Sequence, residues 1–156
     1  MDQDSALGSL DQIGNRHQYA TFCVNGMFFG VEVIKVQEVL RYQEVTRVPL
    51  APEVIQGLIN LRGQIVTAID MRRRLKLAAP AATARPMNMV IRCAEGAVSL
   101  LVDEIGEVIE VNASAFEPPP VNLPAAQRAL IDGVYKLQDR LLLVLNTERT
   151  MKLLEG

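Results

Sequence analysis

Apolar positions in this chain fall in short runs, rich in β-branched residues and broken by glycine, asparagine and proline. None sustains the period of a long amphipathic helix, and the pattern predicts short strands joined by tight turns. Tyr19 to Val24 is the first strand. Asn25-Gly26 tolerates positive φ and returns the chain into Phe28 to Val33. Ile34 to Leu40 reads as a helical turn leading into a strand, and Val45 to Val48 as a strand closed by Pro49 and Pro52. A helical turn is expected over Glu53 to Gln56. Leu58 to Leu61 and Gln64 to Ile69 are strands around Arg62-Gly63, and Asp70 is placed to cap a helix from Met71 to Leu77. Alanine and proline over 78–86 mark a linker.

The second half repeats the pattern. Met87 to Cys93 and Ala97 to Val102 form a hairpin around Glu95-Gly96, followed by a strand over Glu104 to Val111 with a bulge at Gly106. Pro118, Pro119, Pro120 and Pro124 mark a long connection. Leu130 to Leu137 and Leu141 to Leu145 form the last hairpin around Gln138-Asp139. Asn146 or Thr147 caps a terminal helix ending near Leu154. A shift of 69 positions sets Phe29 on Val98, Val31 on Leu100, Val33 on Val102, Glu38 on Glu107 and Val39 on Val108. A shift of 76 sets Ile55 on Ile131, Gly57 on Gly133, Leu61 on Leu137, Ile65 on Leu141, Ile69 on Leu145 and Asp70 on Asn146. The difference falls in the proline-rich connection, where extra length costs little.

Two similar all-β units of about five short strands follow, and strands of this kind curl readily into barrels that leave no open edge. The expected boundaries are a flexible leader over 1–16 and a folded region over 17–156. Its first barrel covers about 28–85 and its second about 87–146, with Tyr19 to Val24 and the C-terminal helix as the segments open to exchange. The duplication also sorts residues. Whatever both halves share belongs to the fold, which makes the apolar positions around Arg62 core. Arg62-Gly63 corresponds to Gln138-Asp139, so the turn does not require arginine.

Composition narrows the function. Apolar residues make up 49% of the 156 residues, enough for a core without disulfide or metal. The charge of −2 lacks the basic excess of a nucleic-acid binder. Cys23 and Cys93 sit in apolar runs at no zinc or redox spacing and read as core thiols. No secretory leader and no apolar run of spanning length is visible, which places the protein in the cytoplasm. His17 stands alone in the polar leader, and no nucleophile, base and orienting group can be assembled, so no enzyme is expected. No phosphate-binding glycine loop, metal-ligand set or cofactor signature appears. Arg72, Arg73, Arg74 and Lys76 read as a solvated cationic face at a helix end. A binding module remains, with Arg62 as its candidate hot spot or, alternatively, as the partner of a local acid. A small hydrolase or ligand-binding barrel is the rival of another class, and it requires a deep polar pocket.

The residues resemble a known family. Lys-Val-Gln-Glu-Val at 35–39, Val-Thr-Arg-Val-Pro at 45–49, Gly-Leu-Ile-Asn-Leu-Arg-Gly-Gln-Ile-Val at 57–66 and Ile-Asp-Met-Arg at 69–72 are similar to CheW, the coupling-protein family of bacterial chemotaxis. Val-Asp-Glu-Ile at 102–105 and Leu-Leu-Leu-Val-Leu-Asn at 141–146 extend the match over roughly 18–154. Thr67 departs from it, standing where the family commonly has proline. The resemblance implies two SH3-like five-stranded β-barrels and a non-catalytic adaptor. It would bridge the cytoplasmic tip of methyl-accepting chemotaxis proteins to the regulatory domain of the histidine kinase CheA. It would carry no cofactor or metal, bind no nucleic acid and meet the membrane only through receptors. Receptor binding is implied for Val36, Glu38, Arg62 and Val108, and kinase binding for Val45 and Gly57. An adaptor of the same fold in another pathway, such as pilus-based motility, is the alternative.

Overall fold

The structure is a computed structural model that describes residues 16–80, 84–94 and 96–152. The expected leader lies outside these except for Arg16, which belongs to the first strand, as does His17. Glu95 and the expected helix end near Leu154 lie outside them too.

The first half contributes β1 (Arg16–Val24), β2 (Met27–Glu32), β3 (Val36–Leu40), β4 (Ile55–Leu61), β5 (Gln64–Asp70) and the short helix α1 (Met71–Arg74). The second contributes β6 (Met87–Cys93), β7 (Gly96–Val102), β8 (Glu104–Ile105), β9 (Ile109–Asn112), α2 (Ala125–Arg128), β10 (Ile131–Lys136), β11 (Leu141–Leu145) and α3 (Thr147–Met151). The helical turn before β3 is a 3-10 turn over Val33–Lys35. Asp70 and Asn146 cap α1 and α3, accepting from the backbone N–H of Arg73 at 3.2 Å and of Arg149 at 2.8 Å.

Some expected elements differ. Val45 to Val48 is reduced to a single bridge, Thr46 with Leu58, and the helical turn over Glu53 to Gln56 gives way to β4 at Ile55. The strand over Glu104 to Val111 splits into β8 and β9. There the Gly106 N–H donates to the Thr21 carbonyl at 2.9 Å, and the Thr21 hydroxyl donates to the Glu107 carbonyl at 2.5 Å. A Cβ on Gly106 would lie 2.4 Å from that hydroxyl oxygen, so the chain swings out around Thr21. Helix α2 begins directly after Pro124, inside what composition marks as connection.

The sheets do not follow the two halves of the sequence. One sheet runs β10-β11-β2-β1-β8, with β9 also on β1, and the other β3-β6-β7-β5-β4. Each hairpin at the start of a half, β1–β2 or β6–β7, joins strands of the opposite half. The division at 28–85 and 87–146 therefore gives way to an exchange of the whole leading hairpin. The duplication itself is reproduced to the residue. β5 runs parallel to β7 with Thr67 opposite Val98, and β11 runs parallel to β2 with Leu143 opposite Phe29. The bulges between Ile55 and Gly57 and between Ile131 and Gly133 match as well.

Both sheets close on themselves. The chain leaving β3 returns to β4, where the N–H groups of Thr46 and Leu58 each donate to the other's carbonyl at 2.8 Å. After β9, Glu117 bonds Val134 of β10 in the same way. Alternate residues then enter different cores, as a pleated strand requires. Leu143 and Leu145 join a cluster shared by both sheets, with Phe22, Phe29, Ile69, Met71, Met89 and Leu100. Leu142 and Val144 join Tyr19 and Tyr135 in a cluster confined to the first sheet, while Val66 and Ala68 join Ile59 and Leu61 in the second. Burial on both faces explains why Leu142 to Leu145 is apolar throughout, while Leu141 is exposed. Cys23 and Cys93 are free and half-buried at the margins of these clusters.

The basic run after β5 is structural. Arg72 donates from Nε and Nη2 to the two carboxylate oxygens of Asp103 at 2.9 and 2.7 Å. Arg74 donates to the carbonyls of Thr150 and Arg149 at 2.9 and 2.8 Å, tying α1 to the end of α3. The solvated-face reading fails for both, because the doubled fold lays α1 against the second half. Asp103 also accepts from the Asn25 N–H at 2.7 Å, so one carboxylate joins the β1–β2 turn, α1 and the end of β7. Burial alone would push its pKa up. The Arg72 guanidinium and the Asn25 N–H outweigh burial and hold it below the ordinary carboxylate value. A group lowered in the folded state stabilises above its unfolded pKa, and that contribution is lost as pH falls through its folded pKa. Asp103→Asn is expected to cost about 1–2 kcal/mol near neutrality, about 3–6 °C in Tm. Melts at descending pH check the cause: the gap from the unmodified protein closes in acid. A gap that stays constant down to about pH 2 contradicts the assignment.

Candidate functional site

The hairpin β4–β5 turns through two residues in the left-handed region, Arg62 at φ 52° and Gly63 at φ 85°. This is the geometry of a two-residue turn whose twist matches its strands. Asn60 steadies it by accepting from the Gly63 N–H through its side-chain oxygen at 2.9 Å. The turn projects Arg62 across the barrel seam onto β3, where Nη1 and Nη2 donate to the two carboxylate oxygens of Glu38 at 2.9 and 2.6 Å. The hydrogen bond from Arg62 is the largest influence on the Glu38 carboxyl and holds it below its ordinary value. The same carboxylate keeps Arg62 more firmly protonated.

The second alternative raised for Arg62, pairing with an acid of its own chain, therefore describes its geometry. It is paired with a local acid, and its side chain is still 75% exposed, against 17% for Glu38. A planar fork held on a carboxylate offers its outer edge in a fixed orientation. The second barrel has Glu107 and Gln138 at the equivalent positions and closes through the Glu117–Val134 bridge all the same. Closure of a seam does not require the ion pair.

Of the other residues singled out, Val36 is half-buried at the start of β3, and its carbonyl accepts from Arg92 at 3.0 Å. Val108 is 57% exposed between β8 and β9, on the other sheet. A hollow of about 370 Å³ between the turn before β3 and β9, lined by Ile34, His17 and Glu110 among others, adjoins both segments. Val45 and Gly57 come together at the seam. A Cβ on Gly57 would lie 2.5 Å from Val45 Cγ1 and 2.2 Å from the Thr46 carbonyl oxygen. Gly57 is buried and Val45 half-buried, packed on the Ile59 and Leu61 cluster.

Ile65 and Val39 were missed. They flank the ion pair in sequence, and apolar matching with Leu141 and Val108 assigns them to the core. Both are exposed, at 59% and 41%, and so are their repeat partners. Ile65 is the second residue of β5 and Val39 the fourth of β3, and apolar matching alone does not say which face of a strand meets solvent.

A doubled β-barrel whose distinguishing residues are an exposed, bidentate ion pair and bare aliphatic side chains on one seam has the build of a protein-binding scaffold. The model of the CheW-like domain matches residues 18–155. The chain belongs to that family. It is 30% identical over 140 residues to the chemotaxis protein CheW of Bacillus subtilis strain 168, covering 90% of each chain. It is 26% identical over 134 residues to the chemotaxis protein CheW of Klebsiella aerogenes, covering 86% of this chain and 81% of that one. The crystal structure of the scaffolding protein TtCheW from Thermoanaerobacter tengcongensis superposes with a TM-score of 0.74 at 26% identity, over 83% of this chain and 88% of that one.

Proposed function

We propose that this protein is a non-catalytic adaptor coupling methyl-accepting chemoreceptors to the histidine kinase CheA, in the cytoplasm at receptor arrays beneath the membrane. The observation that carries the reading is the Arg62–Glu38 pair, present in one barrel and replaced by Gln138 and Glu107 in the other. A fold repeated twice with one distinctive seam is suited to two different partners. Family membership and the chemotaxis relatives support the same reading. Receptor contact is assigned to Val36, Glu38 and Arg62 and to Val108 of the other sheet, and kinase contact to the segment around Val45 with Gly57 beneath it. Several weak contacts made at once would hold the assembly, since linked sites act at high effective concentration. Co-sedimentation tests it. With receptor-bearing membranes and CheA, this chain is expected to pellet with both and to carry CheA down beyond the amount that pellets alone. A chain left in the supernatant, or CheA recovery unchanged by it, overturns the proposal.

A further inference from the structure

A cleft of about 780 Å³ opens where the loop after β3, the start of α1, Pro80, residues 84–86 and the end of β7 converge. Its size falls within the range of small-molecule sites, roughly 300–1,000 Å³. Arg47, Arg72, Arg73 and Arg85 line it, together with Asp70, Asp103 and Glu104. Two of the arginines are committed within the wall. Arg72 holds Asp103 at 2.7 Å, and Arg73 stands 3.4 Å from Asp70. Arg47 and Arg85 have no carboxylate within ion-pair distance among the described residues. The guanidinium of Arg85 lies 4.9 Å above the centroid of the Tyr42 ring. Glu104 is the one remaining acid on the wall, a single charge against two. Val45 and Leu101 supply apolar lining. Such a site has excess positive charge, two unengaged forks and an aromatic surface.

We propose that this cleft binds a small polyanion, phosphate- or polycarboxylate-bearing, gripped by Arg47 and Arg85 beside the Tyr42 ring. Guanidinium forks match either oxyanion in two-point geometry. The cleft includes neither Arg62 nor Glu38 but shares Val45 with the segment assigned to kinase contact, and binding of a small anion there goes beyond the adaptor reading.

Isothermal titration of the full chain with pyrophosphate and, separately, with citrate tests it. Saturable one-to-one binding of at least one probe is expected, and the preferred probe identifies the anion. Raising salt from about 50 to 300 mM should weaken it several-fold, because partly exposed charges are screened. Arg47→Ala with Arg85→Ala should lower affinity by about tenfold or more, while Lys136→Ala on the other barrel leaves it unchanged. If the double variant melts early, Arg47→Gln and Arg85→Gln singly should each weaken binding by about threefold or more. No heat with either probe, or affinity equal in the unmodified protein and the arginine variants, overturns the proposal. So does an equal loss in Lys136→Ala.

Discussion

Gly57→Ala is expected to lower the melting temperature by about 5–15 °C, a cost of about 2–4 kcal/mol. The reason is space as well as dihedral strain. Gly57 sits at φ 154°, and an added Cβ would meet the Thr46 carbonyl oxygen at 2.2 Å and Val45 Cγ1 at 2.5 Å. The Thr46–Leu58 bridge that closes the barrel would have to move. Gly133 has the same neighbourhood in the second barrel, where a Cβ would lie 2.2 Å from Cζ of the Phe116 ring and 2.5 Å from the Glu117 carbonyl oxygen. Gly63 supplies the control. Its φ is 85°, but nothing lies within 4 Å of its Cβ position, so Gly63→Ala should cost only about 1 kcal/mol. Thermal melts of the variants decide the matter: equal losses for Gly57→Ala and Gly63→Ala would remove the steric account. The same result bears on the kinase. Because Gly57 is buried, CheA binding lost by its variants should return when normalised to folded protein.

Exchanging the charges of the Arg62–Glu38 pair separates a binding role from a structural one. Arg62→Ala should leave Tm within about 3 °C, since an exposed pair contributes little to stability. It should also lower recovery with receptor membranes several-fold, because an oriented arginine at an interface is costly to truncate. Arg62→Glu with Glu38→Arg can rebuild a pair across the seam while reversing what a partner meets. Receptor binding should stay low in this double variant although Tm is near that of the unmodified protein. Recovery restored to the original level would mean that the pair only braces the seam, and the contact assigned to Arg62 would be withdrawn.

Local patterns predicted much of this molecule. Turn chemistry located Asn25-Gly26 and Arg62-Gly63. Side-chain type gave the cap at Asp70 and two choices for the last helix, of which Asn146 is the cap. The two numerical offsets, which match residues of one half to the other, also relate the pairing of Thr67 with Val98 to that of Leu143 with Phe29. The errors share a cause. Val45 to Val48 has the composition of a strand, but only Thr46 bonds to β4, because the segment meets that strand beside Gly57, which allows a close approach. Arg72 and Arg74 have the composition of a solvated helix end, yet each reaches groups far along the chain. Ile65 and Val39 are apolar and exposed.

By itself, then, the sequence determined that the protein is all-β, that it is built twice, and that Arg62 interrupts one copy and not the other. These are properties of nearby residues and of a repeat readable in one dimension. The tertiary structure alone decided that each barrel borrows the leading hairpin of the other half, that Asp103 ties them together, and that Arg62 is both exposed and held by Glu38. Those depend on which segments meet across long separations. A strand's pairing edge looks the same in sequence whether its partner comes from its own repeat or the other, and burial of both sheet faces in a shared core selects between them.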